Sequence, residues 1–160
     1  PGSRGWGNLI PRFCSWVQLR PKDKSGSFYV YNTHLDSLSS NSRKKSVRLL
    51  AKEIESRKSQ DPFILMGDFN MLRDNPAMAF LLQAGPQNNI AMTDAWRSVY
   101  PNGLDAVTYA PKGRQIDHIL LCPNAAVVDI KVEKCKDSEQ RASDHFPIIA
   151  RIRLNAYLEG

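Results

Sequence analysis

The sequence predicts a mixed α/β fold, because two kinds of periodicity occur along it. Short apolar runs rich in β-branched and aromatic residues are typical of strands, and two further segments carry apolar residues at helical spacing. The chain has 160 residues, of which 42% are hydrophobic and 24% are charged. These values fit one globular domain and exclude a disordered or fibrous chain. We find no apolar stretch near the ~20 residues of a membrane-spanning helix.

The strands are predicted from apolar runs that end at Gly, Pro or clusters of polar residues. The run at 63–66 is wholly apolar, which favours a strand buried on both faces. Residues 25–27, between the runs at 12–20 and 28–35, are turn-forming residues and indicate a hairpin. The predicted strands are residues 12–20, 28–35, 63–66, 107–110, 115–122, 126–132 and 147–154.

Helices are predicted between these strands. Four apolar residues at spacings of three and four define one helical face: Val47, Leu50, Ala51 and Ile54. Asn41 or Ser42 is expected to cap this helix. Pro76 suits the first turn of a second helix, and Gly85 should end it. A third short helix is expected over 93–99, capped by its first residue.

Charge and cysteine content narrow the class of protein. The 22 Lys and Arg against 16 Asp and Glu give a net charge of +6. This charge favours an anionic partner, such as nucleic acid or a phosphorylated small molecule. The basic residues of the first helix are interpreted as a solvated face, with a phosphate-binding patch as the alternative. Cys14, Cys122 and Cys135 are far apart, which argues against a disulfide framework or zinc site and favours a cytoplasmic or other intracellular location.

Polar residues follow two of the predicted strands. Asn32, His34 and Asp36 alternate and should therefore share one side of the chain. Asp68 and Asn70 come directly after the buried strand and can point the same way. They suit a hard cation or a water near a phosphate, and an Asx-type turn is the alternative interpretation.

Two more clusters lie near the end of the sequence. Asp117 interrupts an apolar run, and a charge inside a core strand is costly unless it is paired. An imidazole is its natural partner, and His145 can provide one, whereas His118 is interpreted as a surface or structural histidine. Asp144 precedes His145 directly. Together the four clusters favour phosphoester hydrolysis by metal-assisted attack of water.

The order of these clusters resembles the successive motifs of the endonuclease/exonuclease/phosphatase superfamily, whose members include deoxyribonucleases, apurinic endonucleases, deadenylases, inositol polyphosphate phosphatases and sphingomyelinases. Four ordered motifs make the resemblance specific. The motifs are NTHLD (32–36), GDFN (67–70), QIDHIL (115–120) and SDHFP (143–147).

The resemblance implies a fold and a domain organisation. The fold is a deoxyribonuclease-I-like four-layer α-β-β-α sandwich, with a mostly antiparallel or mixed sheet and flanking helices. The chain would correspond to the C-terminal portion of such a domain over 12–154. Residues 1–11 would then be an N-terminal extension or remnant, and 155–160 a tail.

The resemblance also implies catalytic roles. His145 would be the general base that activates water, and Asp117 would orient it. Asp68 and Asn70 would position the nucleophile and the scissile phosphate. His34 would contact the phosphate and assist the leaving group.

A divalent cation, Mg²⁺ or Mn²⁺, is the implied cofactor. Asp144 would lie near it, with Asp68 and Asn70 as further ligands. Asn32 and Arg114 are candidates for substrate contact. The substrate is expected to be a phosphorylated molecule: a nucleic acid, a nucleotide, a lipid head group or a sugar phosphate.

One departure from the family pattern is large. The family's early motifs, an asparagine and a metal-ligating glutamate at strand ends, have no counterpart before residue 12. Cation affinity should therefore be poor, and one sheet face should lack its partner. We expect an N-terminal segment or a second copy of the chain to cover that face. The leading hypothesis is a metal-dependent phosphoesterase; the alternatives are an inactive binding or assembly module and a nucleic-acid-binding module without chemistry.

Overall fold

Strands and short helices alternate along most of the chain. The structure, a computed structural model, describes residues 5–22, 26–85, 90–103, 105–134 and 142–154. The elements are β1 (Cys14–Leu19), β2 (Phe28–His34), α1 (Ser40–Glu55), β3 (Phe63–Asp68), α2 (Pro76–Leu82), β4 (Thr93–Asp94), α3 (Ala95–Val99), a 3₁₀ turn (Ala110–Lys112), β5 (Asp117–Leu121), β6 (Ala125–Val132) and β7 (Ile148–Leu154). Most of the polar loop after β6, together with Cys135, lies outside the described residues.

The main sheet has five strands in the order β1-β2-β3-β5-β4. Strands β2 and β3 are parallel, and the other neighbours in this sheet are antiparallel. β6 and β7 form a separate antiparallel pair. The prediction of a mixed, mostly antiparallel sheet with flanking helices is confirmed.

Helices α1 and α2 cover one face of the main sheet. The buried positions of α1 are those that the helical spacing predicts, namely Val47, Leu50, Ala51 and Ile54, with Ser42 beside them. They pack on sheet residues such as Tyr31 and Leu65. The cap of α1 is Ser39, whose side chain accepts a hydrogen bond from Ser42 N, so the helix begins earlier than Asn41.

The other two helix boundaries also differ slightly from the expectation. Asn75 caps α2, and Pro76 opens it as predicted, but the helix ends at Leu82 before Gly85 is reached. Asp94 rather than Thr93 caps α3, since its side chain accepts from Arg97 N. Thr93 instead pairs with β5.

The β6–β7 pair lies on the second face of the main sheet. Its Ile130 packs in one apolar cluster with Ile119 and Leu121 of β5. The outer strands of that face are less covered, because Val17 and Leu19 of β1 remain 46% and 41% exposed. None of the helices among the described residues is long and apolar enough to cross a bilayer.

The predicted strand at 107–110 is replaced by a turn. Tyr109 makes isolated bridges to Arg114 and to His145, and the 3₁₀ turn follows it. Pro111 within that turn and Gly113, which has a left-handed φ of 57°, reverse the chain before a strand can extend.

Candidate active site

Strand register brings three of the predicted site residues into one row. His34 pairs with Asp68 across β2 and β3, and Asp68 pairs with Asp117 across β3 and β5. Residues paired in register lie on the same face of a sheet. Their face is the one that carries Ile119 and Leu121 toward the β6–β7 pair. The row therefore lies at one end of the main sheet, beside the second sheet.

His145 completes this cluster from the segment before β7. Its Nδ1 lies 2.8 Å from Asp117 Oδ2, and its Nε2 lies 3.9 Å from Asp68 Oδ2. His34 Nε2 lies 3.4 Å from the same Asp68 oxygen. Two imidazoles thus approach one carboxylate, and a second carboxylate holds the far side of one ring.

Asn70 is fixed next to Asp68 by a tight turn. Its backbone N–H donates to Asp68 Oδ1 at 2.8 Å, which forms the Asx-type turn, and its φ is 52°. Its side-chain Nδ2 donates to the Leu35 carbonyl at 3.0 Å. The amide is therefore oriented by the end of β2. The turn and a functional role are compatible, because the amide oxygen is not used in these bonds.

Gly67 allows the strand end that carries Asp68 to approach β2 closely. Its φ is 137°, and a Cβ placed there would lie 1.9 Å from the Thr33 carbonyl oxygen. Only glycine adopts this conformation in that space. The position thus sets the distance between His34 and Asp68.

The Thr108 hydroxyl anchors the start of β5. Its side chain is fully buried, and its Oγ1 accepts hydrogen bonds from Ile116 N at 3.2 Å and Asp117 N at 3.1 Å. The sequence did not indicate this role, because a threonine within an apolar run is typical of any strand. Its effect is to fix the backbone from which the Asp117 side chain projects.

The His145 segment is held against residues 108–110. Phe146 N donates to the Thr108 carbonyl at 2.7 Å, and Ala110 N donates to the Asp144 carbonyl at 2.9 Å. The ring of Tyr109 packs on the His145 ring at a centroid distance of 5.0 Å. The imidazole is thereby confined by an aromatic ring on one side and Asp117 on another.

The environment shifts two pKa values in this cluster. Burial opposes protonation of His145, but the hydrogen bond to Asp117 and the nearby negative charges outweigh it and raise the pKa of the ring. Burial raises the pKa of Asp68, and the neighbouring Asp117 adds to this against the hydrogen bond from Asn70 N. A cation at this point would favour the charged form of Asp68.

The remaining predicted site residues are placed less centrally. Asn32 is exposed two residues before His34 on the same strand face. Asp144 is exposed beside His145, and Arg114 is exposed in the turn that pairs with Tyr109. No side-chain contact of these three with the cluster is among the hydrogen bonds and ion pairs of the described residues.

Asp36 does not join the cluster. It lies past the end of β2 and is buried, so it no longer alternates with His34. Its Oδ1 accepts from Leu38 N at 2.9 Å and Ser39 N at 2.6 Å. The pKa of Asp36 is below its usual value, chiefly because of the hydrogen bond from Ser39 N. Asp36 therefore shapes the loop before α1.

His118 is the structural histidine that the sequence suggested, and it is not at the surface. Its side chain has no exposed area and points to the face opposite Asp117. Its Nδ1 lies 3.3 Å from Asp94 Oδ2, a pairing that the sequence did not indicate because residues 94 and 118 are far apart.

The cluster offers ligand atoms for a metal ion. One ligand atom each from Asp68, Asp117 and His145 lie within 4.8 Å of one another, and no glutamate of the described chain joins this group. Carboxylate oxygens together with the Asn70 amide oxygen suit Mg²⁺ or Mn²⁺, and imidazole is accepted by Mn²⁺. The donor set fits a hard divalent cation with few protein ligands.

A model of the Endonuclease/Exonuclease/phosphatase family matches residues 3–145. The chain belongs to this family. No curated protein sequence matches it significantly. The family fold is seen again in solved structures, which agrees with the architecture described above.

Three of these structures illustrate the likeness. An endonuclease/exonuclease/phosphatase from Bacteroides vulgatus is 24% identical, with a TM-score of 0.81 over 95% of this chain and 59% of that one. A mannosyl-6-phosphatase from Bacteroides thetaiotaomicron is 24% identical, with a TM-score of 0.70 over 94% of this chain and 60% of that one. TDP2 from D. rerio, complexed with a single-strand DNA product, is 18% identical, with a TM-score of 0.72 over 91% and 63%. The chain thus spans about three fifths of the length of these three proteins.

Proposed function

We propose that the chain carries the water-activating part of a divalent-metal-dependent phosphoesterase site. The observation that carries this proposal is the position of His145, with Nδ1 on Asp117 and Nε2 facing Asp68. Members of this family hydrolyse phosphoesters, and the similar structures include a sugar phosphatase and a protein holding a DNA product. A phosphorylated substrate is therefore part of the proposal.

The Asp117–His145 pair would generate the nucleophile. Asp117 accepts a hydrogen bond from Nδ1–H of the ring, which fixes the tautomer whose lone pair is on Nε2. Nε2 takes a proton from water, and the resulting hydroxide oxygen attacks phosphorus while the bond to the leaving oxygen breaks. Asp117 also stabilises the imidazolium that forms.

Asp68, Asn70 and His34 would hold the other reacting groups. Asp68 lies between the two imidazoles and can accept a hydrogen bond from the attacking water. The Asn70 side chain lies beside Asp68, since its Nδ2 donates to the Leu35 carbonyl at 3.0 Å and to Asp68 Oδ2 at 3.3 Å. His34 is exposed at the mouth of the cluster, where its ring can donate a hydrogen bond to a phosphoryl oxygen or a proton to the leaving group.

Asp68, Asn70 and Asp144 are the proposed ligands of the cation. When bound, Mg²⁺ or Mn²⁺ would supply positive charge that stabilises the phosphoryl oxygens in the transition state. Asn32 and Arg114 are proposed to contact substrate at the edges of the same opening. Residues 12–154 are proposed to form the C-terminal portion of a family domain.

The decisive experiment is His145→Ala in the full-length protein. We expect hydrolysis of a generic phosphodiester or phosphomonoester with Mg²⁺ or Mn²⁺ and a loss of about 10³-fold in kcat for the variant, within the range for a general base. Lys131→Ala changes an exposed residue of β6 and should leave the rate unchanged. Full activity after His145→Ala would remove the proposed base.

A second candidate is an inactive binding or assembly module. It is favoured by the exposed Val17 and Leu19 on the sheet face toward β6–β7. An N-terminal segment or a second copy would then cover this face. Absence of turnover at saturating Mn²⁺ together with a defined oligomer in analytical ultracentrifugation would support this candidate; turnover by a monomer would exclude it.

A further inference from the structure

The His118 ring is held by hydrogen bonds on both sides. Its Nδ1 lies 3.3 Å from Asp94 Oδ2, and its Nε2 lies 3.0 Å from the Met71 carbonyl oxygen. The side chains of His118 and Asp94 are 0% and 2% exposed. The ring also meets the edge of Phe69 at a centroid distance of 5.7 Å.

The two partners of the ring fix its chemistry. A backbone carbonyl can only accept hydrogen bonds, so Nε2 donates to the Met71 carbonyl, while Nδ1 is hydrogen-bonded to the Asp94 carboxyl group. Asp94 is kept ionised despite its burial, because hydrogen bonds from His118 and from Arg97 N lower its pKa. The Asp94 carboxyl group and the Met71 carbonyl, both buried, thus depend on the one buried ring of His118 for these hydrogen bonds.

The hydrogen bond from His118 Nε2 to the Met71 carbonyl lies at the end of the segment that carries Asn70. Residues 68–71 leave β3 through the left-handed turn at Asn70, and Phe69 N donates to the Ile116 carbonyl at 2.9 Å. The hydrogen bond from His118 to the Met71 carbonyl is a second bond, after that from Phe69 N, between this segment and the β5 region. Asp117 and His118 are neighbours in β5 and point to opposite faces. Asp117 projects into the cluster, and His118 holds the segment 69–71 that follows β3.

We propose that His118 is a positioning residue, which holds the Phe69–Met71 segment through the Met71 carbonyl and thereby sets the place of Asn70 and Asp68 relative to Asp117. The proposal rests on the proposed hydrolytic function of the cluster. A leucine would fill the same space at lower desolvation cost, so packing alone does not explain a histidine here. Asp94 links the ring to the first turn of α3 and keeps it oriented.

Three substitutions of His118 separate its two hydrogen bonds. His118→Leu removes both, His118→Gln places an amide donor near the former Nε2, and His118→Asn places one near the former Nδ1. We expect kcat to fall about 10²-fold in His118→Leu with KM nearly unchanged, since small misplacements of reacting groups have effects of this size. His118→Gln should recover most of the rate, and His118→Asn should not.

The control is Leu120→Val, a buried change on the same strand face that leaves these hydrogen bonds in place. All variants are assayed well below their unfolding midpoints. Equal kcat values for His118→Gln and His118→Asn would overturn the proposed role of the Met71 bond. Loss of rate in Leu120→Val equal to that in His118→Leu would mean a general effect of destabilisation and would also overturn it.

Amide hydrogen exchange tests the same inference without any turnover. We expect faster exchange at Phe69 and Asn70 in His118→Leu and near-normal exchange in His118→Gln and Leu120→Val. Unchanged exchange in His118→Leu would overturn the inference even in an active enzyme. Inactivity of the parent protein with faster exchange in His118→Leu would instead reject the hydrolytic function alone.

Discussion

Two His–Asp pairs lie back to back on β5, since Asp117 faces one side of the strand and His118 the other. The His145–Asp117 pair has a 2.8 Å contact, and its side chains are 28% and 18% exposed. The His118–Asp94 pair has a 3.3 Å contact, and its side chains are 0% and 2% exposed. The same two residue types thus occur in an open and in a closed setting.

The difference shows that the setting, and not the pair, decides the chemistry. His145 has one nitrogen on Asp117 and the other directed to a half-open cluster, so it can exchange a proton with a water or substrate. His118 has both nitrogens engaged and no access to water. It can hold backbone in place, but it cannot act on a ligand. Each pair therefore predicts a different response to removal of its carboxylate.

The largest effect is expected at the open pair. Asp117→Asn places an amide where the carboxylate accepted the hydrogen bond from Nδ1–H, so the ring loses its orientation and the base is weakened. We expect kcat to fall about 10³-fold with little change in the urea midpoint. Steady-state kinetics and urea unfolding measure the two quantities. Asp129→Asn, at an exposed position of β6, is the matched control. An active Asp117→Asn variant would argue against the proposed pairing of Asp117 with the base.

The closed pair should respond through stability. Asp94→Ala leaves a buried imidazole without its carboxylate and removes the side-chain cap of α3. We expect the free energy of unfolding to fall by about 3 kcal/mol, the lower end of the range for breaking a buried pair. Urea unfolding followed by tryptophan fluorescence measures it. Asp74→Ala, at an exposed position before α2, should change stability by less than about 0.5 kcal/mol.

The smallest expected effect concerns pH: as pH rises, activity should increase while the contribution of His145 to stability decreases. Because the pKa of His145 is raised in the folded state, protonation favours folding. This stabilisation is complete below the pKa of the unfolded chain and is lost as pH rises through the folded-state pKa. Activity should move in the opposite direction, since only the neutral ring can accept a proton.

His145 binds one proton, so its contribution to the free energy of unfolding changes by no more than about 1.4 kcal/mol per pH unit. Profiles of kcat/KM and of the urea midpoint against pH test this. Asp117→Asn should shift the rising limb of any residual activity to lower pH. An unshifted limb in that variant would mean that another group titrates.

Much of the site was predictable because it is local in sequence. Alternation along a strand and position at a strand end point to His34, Asp68 and Asp117, and register then places them in one row. The predicted partnership of Asp117 with an imidazole also follows from the cost of a charge inside an apolar run. The fold class follows from the same periodicities, since most of the strands and helices satisfy their own local pattern.

The unpredicted features depend on contacts between distant parts of the chain. Thr108 and Asp94 are ordinary strand and cap residues until the fold brings them to Asp117 and His118. Asp36 alternates with His34 in sequence, yet the strand ends before it and the chain turns. The segment at 107–110 has strand-like residues, and the turn at Gly113 prevents the strand. Local patterns do not contain these long-range constraints.

The close approach at Gly67 has an evolutionary consequence. A methyl group there would overlap the Thr33 carbonyl, so every side chain is rejected for steric reasons, although the position performs no chemistry. A deep mutational scan should show this site to be as intolerant as the reacting residues. A glycine that never varies at this position among descendants of this protein would then reflect the shape of the backbone. Only a separate measurement of rate would distinguish it from a residue that never varies because it takes part in catalysis.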